Sequence, residues 1–192
     1  MLKKFQYNSP VVLTYTFLCA AIMALGSATN NASTKLLFTN FRSSFADPLF
    51  YFRLFSYALG HVSWDHFFSN FTIILLVGPI LEEKYGSRSL LKMMFGTALL
   101  TGIINITFFS TALIGASGIA FMFIVLSSFG NAESGRIPIT FILIAGFFIG
   151  KEVLTGFLVK DNISHMAHII GGLSGGLFGY QFGHRRKRSG NC

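Results

Sequence analysis

Six long apolar runs decide the solvent of this chain before any motif is read. They lie at about Pro10 to Gly26, His66 to Glu82, Leu90 to Phe109, Leu113 to Gly130, Pro138 to Phe157 and Met166 to Gly183. A helix crosses the ~30 Å hydrocarbon layer of a bilayer with about 20 apolar residues, so each run has the length of one span. In lipid every backbone N–H and C=O must be satisfied within the element, which leaves helices and closed barrels as spanning structures. The runs are continuous rather than alternating, which disfavours a porin-like barrel. Composition agrees. Only 11% of the 192 residues are charged and 52% are hydrophobic, whereas a soluble domain carries about 25% charged residues. A large soluble domain is ruled out.

The expected fold class is therefore an all-α membrane protein with six transmembrane helices. Lys3-Lys4 before an apolar run that ends in Gly26-Ser27-Ala28 also fits a signal peptide, but five further runs follow, and the first is read as a retained helix. Between the first two runs lies Thr29 to Asp65, rich in Phe, Tyr and Arg and too interrupted to span. It reads as an aromatic-belted first outer loop associated with the membrane. Placing the N-terminus in the cytoplasm puts ten of the 15 Lys and Arg residues inside, four outside, and Lys151 within the fifth run. That bias favours both termini in the cytoplasm. Three parts are expected: a cytoplasmic tail at 1–9, a six-helix membrane domain at 10–183, and a basic cytoplasmic tail at 184–192.

The net charge of +8 gathers at the ends of apolar segments, notably Lys3-Lys4 and His184 to Arg188, as cytoplasmic anchors do. Nucleic acid is therefore not an expected partner. The two cysteines, Cys19 in the first run and Cys192 at the end, outline neither a disulfide framework nor a metal site. No cofactor is expected.

With the N-terminus inside, runs two, four and six all begin at the outer face, and each begins with polar residues. Run two opens with HVSWDHFFSN, where His66 and Asn70 are four apart and share a helix face. Run four opens with GASG, holding Ser117 between Gly115 and Gly118; run six opens with HMAHIIGGLSGG, with His168 just inside. Singly, each has a bland explanation: a serine bonding back to its own helix, or a His or Asn bridging helices. Together they bring a hydroxyl, an amide and two imidazoles to one depth, where polar groups are costly to hold.

Such a set permits acyl transfer. A serine hydroxyl becomes a useful nucleophile when an imidazole accepts its proton. The resulting oxyanion needs donors, a part that Asn70, His66 and the Ser117 backbone N–H can fill. Gly171, Gly175, Gly179 and Gly183 recur every four residues in run six, beside Gly172 and Gly176. Small residues at that spacing let backbones approach, and pressing run six on run four would bring His168 toward Ser117.

The segments GASG (Gly115 to Gly118) and AHIIGGLSG (Ala167 to Gly175), with His61, His66 and Asn70, resemble the rhomboid intramembrane serine proteases. Gly78, Glu82 and Gly86 resemble that family's GxxxExxxG pattern, and Phe52-Arg53 looks like its aromatic-Arg pair. The resemblance covers about Phe50 to Gly183, with five motifs in order. It implies a six-helix bundle of the bacterial type with Ser117 as nucleophile and His168 as general base. It also implies an oxyanion hole of His66, Asn70 and the Ser117 amide. Gly115, Gly118, Phe121, Gly171 and Gly175 would support the dyad, while Arg53, His61, Gly78, Glu82 and Gly86 would be structural. Similar enzymes cut transmembrane helices near the outer face. By the same likeness the site opens to the periplasmic side of a bacterial inner membrane, and the segment from Lys151 to Asn162 resembles a lateral gate for substrate. One residue departs from the pattern: Phe121 stands where relatives often carry Tyr stacked on the histidine.

Two other functions compete. An inactive relative would bind and escort membrane clients, but such relatives typically lose the Ser or His kept here. A metal-ion transporter would use His61, Asp65, His66, His165 and His168, since imidazole suits Zn²⁺. There is no HExxH, and the five-residue step from His61 to His66 turns about 140° round a helix, which is poor for chelation. Lys151 and Glu152 lie deep in run five, where Lys151 can snorkel outward. Asn31, Asn70, Asn105 and Asn162 begin N-x-S/T triplets but are not read as glycosylation sites.

Overall fold

A backbone cut off from water satisfies itself by coiling, and the computed structural model, described over residues 6–129, 136–158 and 165–189, is mainly helical. Eight α-helices follow in order among them: α1 Pro10–Ala28, α2 Ala32–Leu37, α3 Pro48–Ser56, α4 Trp64–Tyr85, α5 Ser87–Phe108, α6 Ser117–Ser127, α7 Ile139–Leu158 and α8 His165–Ser189, with a 3-10 turn at Tyr57–Leu59. Among the described residues, α1, α4 and α5 are each long and apolar enough to cross a membrane, and α6 is apolar but shorter. Lys3 and Lys4, residues 159–164 with Lys160 and Asn162, and Cys192 lie outside the described residues.

Two boundaries differ from the apolar pattern, each for a physical reason. The fourth run begins near Leu113, but its helix begins at Ser117. Leu113 is instead tied to Asn40 in an antiparallel bridge, and Gly115 has φ +120°, a backbone state open to glycine. The sixth run thins out at Gly183, but α8 continues to Ser189, through Arg and Lys residues that are good helix formers.

The Gly78 and Glu82 spacing in α4 builds the junction with α1. Glu82 is 4% exposed, and its carboxylate accepts from the Val11 and Val12 amides (2.9 and 3.0 Å) and from the Ser87 hydroxyl (2.7 Å). First-turn amides of a helix have no partner within it, and a buried anion there satisfies both their hydrogen bonding and the helix dipole. One turn earlier, a Cβ on Gly78 would stand 2.8 Å from the Val12 side chain and 2.9 Å from Phe123. Only glycine lets α1 and α6 close on α4 there. Gly86, with φ +79°, makes the tight connection into α5.

The segment between α1 and α4 folds on itself around Arg53, which is 4% exposed. Its guanidinium donates to the Leu36 carbonyl (2.7 Å) and to Asp47 (2.9 Å), and lies over the Phe41 ring at 4.7 Å. Asp47 also caps α3 by accepting from the Leu49 amide at 2.9 Å. Arg42 then docks the segment on α5, donating to the terminal carbonyls of Ile106 and Thr107 (2.8 and 3.0 Å). Phe71, Ile74, Leu81, Leu90, Met122 and Phe123 fill the core between α4, α5 and α6, while Leu76 and Ile80 face outward, 73% and 65% exposed.

Candidate active site

Ser117 is the first residue of α6 and is half-buried. The residue before it, Ala116, occupies the N-cap position and has no side chain to cap the helix. Ser, Thr, Asp or Asn is usual there, so alanine leaves the first-turn amides of α6 available to a ligand. Those amides and the helix dipole favour negative charge beside Ser117.

His168 lies in the first turn of α8, and among the described residues the α6–α8 packing is the most extensive between two helices. Its tightness follows from glycine. A Cβ on Gly171 would overlap the Gly118 carbonyl oxygen, and one on Gly175 would come within 2.5 Å of the Met122 carbonyl. A Cβ on Gly118 would meet the Ala167 carbonyl at 3.2 Å, and one on Gly179 would overlap the Phe129 ring. Gly118 and Ala167 are the chain neighbours of Ser117 and His168, so those two residues flank the closest crossing of their helices. Gly176 faces α7 instead, toward Phe141. Phe121, one turn along α6, lies flat on the His168 ring, with centroids 4.2 Å apart and planes 5° from parallel. His165 meets His168 edge-on at 6.4 Å.

The third contributor is the start of α4, which begins at Trp64 because the Ser63 side chain accepts from the His66 amide at 3.2 Å. The His66 ring presses on Gly115, where a Cβ would stand 2.5 Å from Cε1 and 2.9 Å from Nε2. Gly115 is thus required twice, by its φ and by this approach. His66 and His168 are near enough to act on each other electrostatically. Asn70, one turn further, is 6% exposed, and its Nδ2 has no hydrogen-bond partner among the described residues. The same holds for His66 Nδ1. A buried donor without an acceptor costs about 1–3 kcal/mol, a cost that an anion bound at this point would relieve.

His61 stands behind this group, fully buried, with its ring edge against His66 at 5.2 Å. Its Nε2 accepts from the Ala116 amide at 3.4 Å, a long bond onto the residue before Ser117. Burial, with help from the neighbouring His66, pushes His61 down to about 3, so it is neutral and keeps an acceptor nitrogen. Among the described residues no three His, Cys, Asp or Glu side chains are grouped to hold a metal ion.

Of the residues singled out from sequence, Ser117, His168, His66, Phe121, Gly115, Gly118 and Gly171 gather at the facing ends of α4, α6 and α8, with Asn70 and His61 beside them. Gly175 lies deeper in the same helix crossing. Arg53, Gly78, Glu82 and Gly86 lie elsewhere, in the first loop and at the α1–α4 junction. Lys151 and Glu152 fall within α7. Sequence reasoning missed Asn40, Arg42, Asp47, Tyr57 and Asn105. A signal existed for Asn105, because a lone amide inside an apolar run is costly unless it is bonded.

No curated protein matches the chain by sequence. A family model, the Rhomboid domain, matches residues 49–185. That range takes in α3 through nearly all of α8, including every residue just described around Ser117, and is well over half of the 192 residues. The chain belongs to the rhomboid family.

Proposed function

We propose that this chain is an intramembrane serine endopeptidase that cuts transmembrane helices near the outer face of the membrane. One observation carries the reading: Ser117, at the uncapped N-terminus of α6, adjoins the glycine-tight crossing with α8 that also holds His168, clamped under Phe121. The reaction then runs as an acyl transfer. His168 takes the Ser117 proton as Oγ attacks the scissile carbonyl carbon. The negative charge that develops on the carbonyl oxygen is met by the Ser117 amide, Asn70 Nδ2 and the His66 ring. His168 returns the proton to the leaving amine, and water attacking the acyl-serine releases the second product. The ring of Phe121 suffices to hold the His168 plane, because stacking does not need the hydroxyl of tyrosine.

The topology that suits this chemistry has six spans, with both termini in the cytoplasm and the first loop lying in the outer interface. Aromatic side chains exposed along that loop and the start of α4, including Phe45 (74%) and Phe68 (59%), fit an interfacial position. The substrate is another membrane protein's helix, and no cofactor takes part. The test is cleavage of single-pass helical substrates by protein reconstituted in liposomes. Ser117→Ala and His168→Ala should each abolish cleavage while the protein remains folded. Binding of such helices by the wild type without any cleavage would favour an inactive, client-binding relative instead.

A further inference from the structure

The loop that delivers Ser117, residues 109–116, carries no helix or strand of its own and must be held from outside. Its last two residues are tied back to the chain before α4: the Gly115 amide donates to the Tyr57 carbonyl at 3.0 Å and the Ala116 amide to His61. Its middle is held by one residue of the first loop, Asn40. The Asn40 amide donates to the Leu113 carbonyl at 2.9 Å, and the Leu113 amide donates back to Asn40 at 2.8 Å. The Asn40 side chain is engaged as well. Nδ2 donates to the Arg53 carbonyl at 3.2 Å, and Oδ1 accepts from Asn105 Nδ2 at 2.9 Å. Asn105 Nδ2 also donates to the Thr111 carbonyl, inside the same loop, at 3.0 Å. Asn40 is 1% exposed and so is Asn105.

All four polar groups of Asn40 are therefore used, and they join α3, α5 and the nucleophile loop at one point. Asparagine suits the place because its amide carries a donor atom and a separate acceptor atom on one short side chain, so both partners are met at once. Only three residues lie between Leu113 and Ser117. A shift of this anchor is passed through a short segment, pinned again at Gly115 and Ala116, to the start of α6. Small displacements of a reacting group reduce rates steeply.

We propose that Asn40 is a positioning residue for the nucleophile: acting through Asn105 and Leu113, it makes the first loop set the placement of Ser117. This inference rests on the reading of Ser117 as the nucleophile. The test is the second-order rate of Ser117 labelling by a fluorophosphonate in full-length protein, measured per folded molecule, for wild type, Asn40→Ala, Asn105→Ala and the double variant. The expected result is a fall of about tenfold in labelling rate for each single variant, with the double variant no slower than the worse single one. On a helical substrate the loss should appear in kcat with KM unchanged. Should Asn40→Ala fail to accumulate as folded protein, Asn105→Ala reads the same bond from its other end. Wild-type rates in folded variants, with only their thermal stability lowered, would reduce Asn40 to scaffolding and overturn the proposal. Absence of labelling in the wild type would overturn the nucleophile reading, and this inference with it.

Discussion

Ser117 has an ordinary hydroxyl whose surroundings are unusual: an uncapped helix start, a stacked imidazole, and buried donors on α4. Each surrounding feature comes from a specific side chain or from the lack of one. Ala116 frees the α6 amides by offering no cap, Gly115 admits the His66 ring, and Phe121 fixes the plane of His168. His61 works one step back, as a neutral acceptor for the Ala116 amide. Because its folded value, about 3, lies below the ordinary 6.5, the unfolded chain binds a proton in that window that the folded chain does not. Stability is thus full above pH 6.5 and is lost as the pH falls toward 3, by up to about 1.4 kcal/mol per pH unit. His61→Gln keeps an acceptor and cannot titrate. Unfolding midpoints in mixed micelles between pH 4 and 7 should fall with acid in the wild type and flatten in this variant; parallel profiles would remove His61 as the cause.

At the scale of elements, two junctions with different duties can be separated by mutation. The α6–α8 crossing sets the site, since Gly171 lies directly on the Gly118 backbone. Gly171→Val should destabilise the fold by about 1–3 kcal/mol through overpacking. The same variant should slow Ser117 labelling even in the molecules that stay folded, because the helix ends carrying Ser117 and His168 are pushed apart. Labelling at the wild-type rate would show that this crossing does not hold the site. The α1–α4 junction serves the fold instead. Glu82→Ala leaves the Val11 and Val12 amides and the Ser87 hydroxyl without their acceptor. A loss of about 3 kcal/mol is expected, with the labelling rate per folded molecule unchanged. A slowed rate at unchanged stability would place Glu82 in the reaction instead.

Across the whole molecule, the parts that were legible in the sequence are those that lipid dictates. Apolar length marked the long helices but not α2 and α3, which lie in the interrupted first loop. Scarce polar groups marked the ends of α4, α6 and α8, because a polar residue in lipid needs a reason to be there. The glycine period in the sixth run foretold the close crossing with α6. Hydropathy could not separate the apolar loop before Ser117 from the helix after it. Leu113 counts as apolar whether it lies in a helix or in a bridge to Asn40, and that pairing is made across 73 residues of chain. The hold of Arg42 on the end of α5 was equally invisible, because its partners are backbone carbonyls, which no side-chain pattern encodes.

The proposed chemistry requires Ser117 to be a nucleophile activated by His168. Labelling of the reconstituted protein with a serine-reactive fluorophosphonate, with the modified residue located by mass spectrometry, reads this without knowledge of the substrate. The expected result is one adduct per chain, on Ser117, lost in Ser117→Ala and nearly lost in His168→Ala. A wild-type chain that stays unlabelled, an adduct on another residue, or undiminished labelling in folded His168→Ala would contradict it.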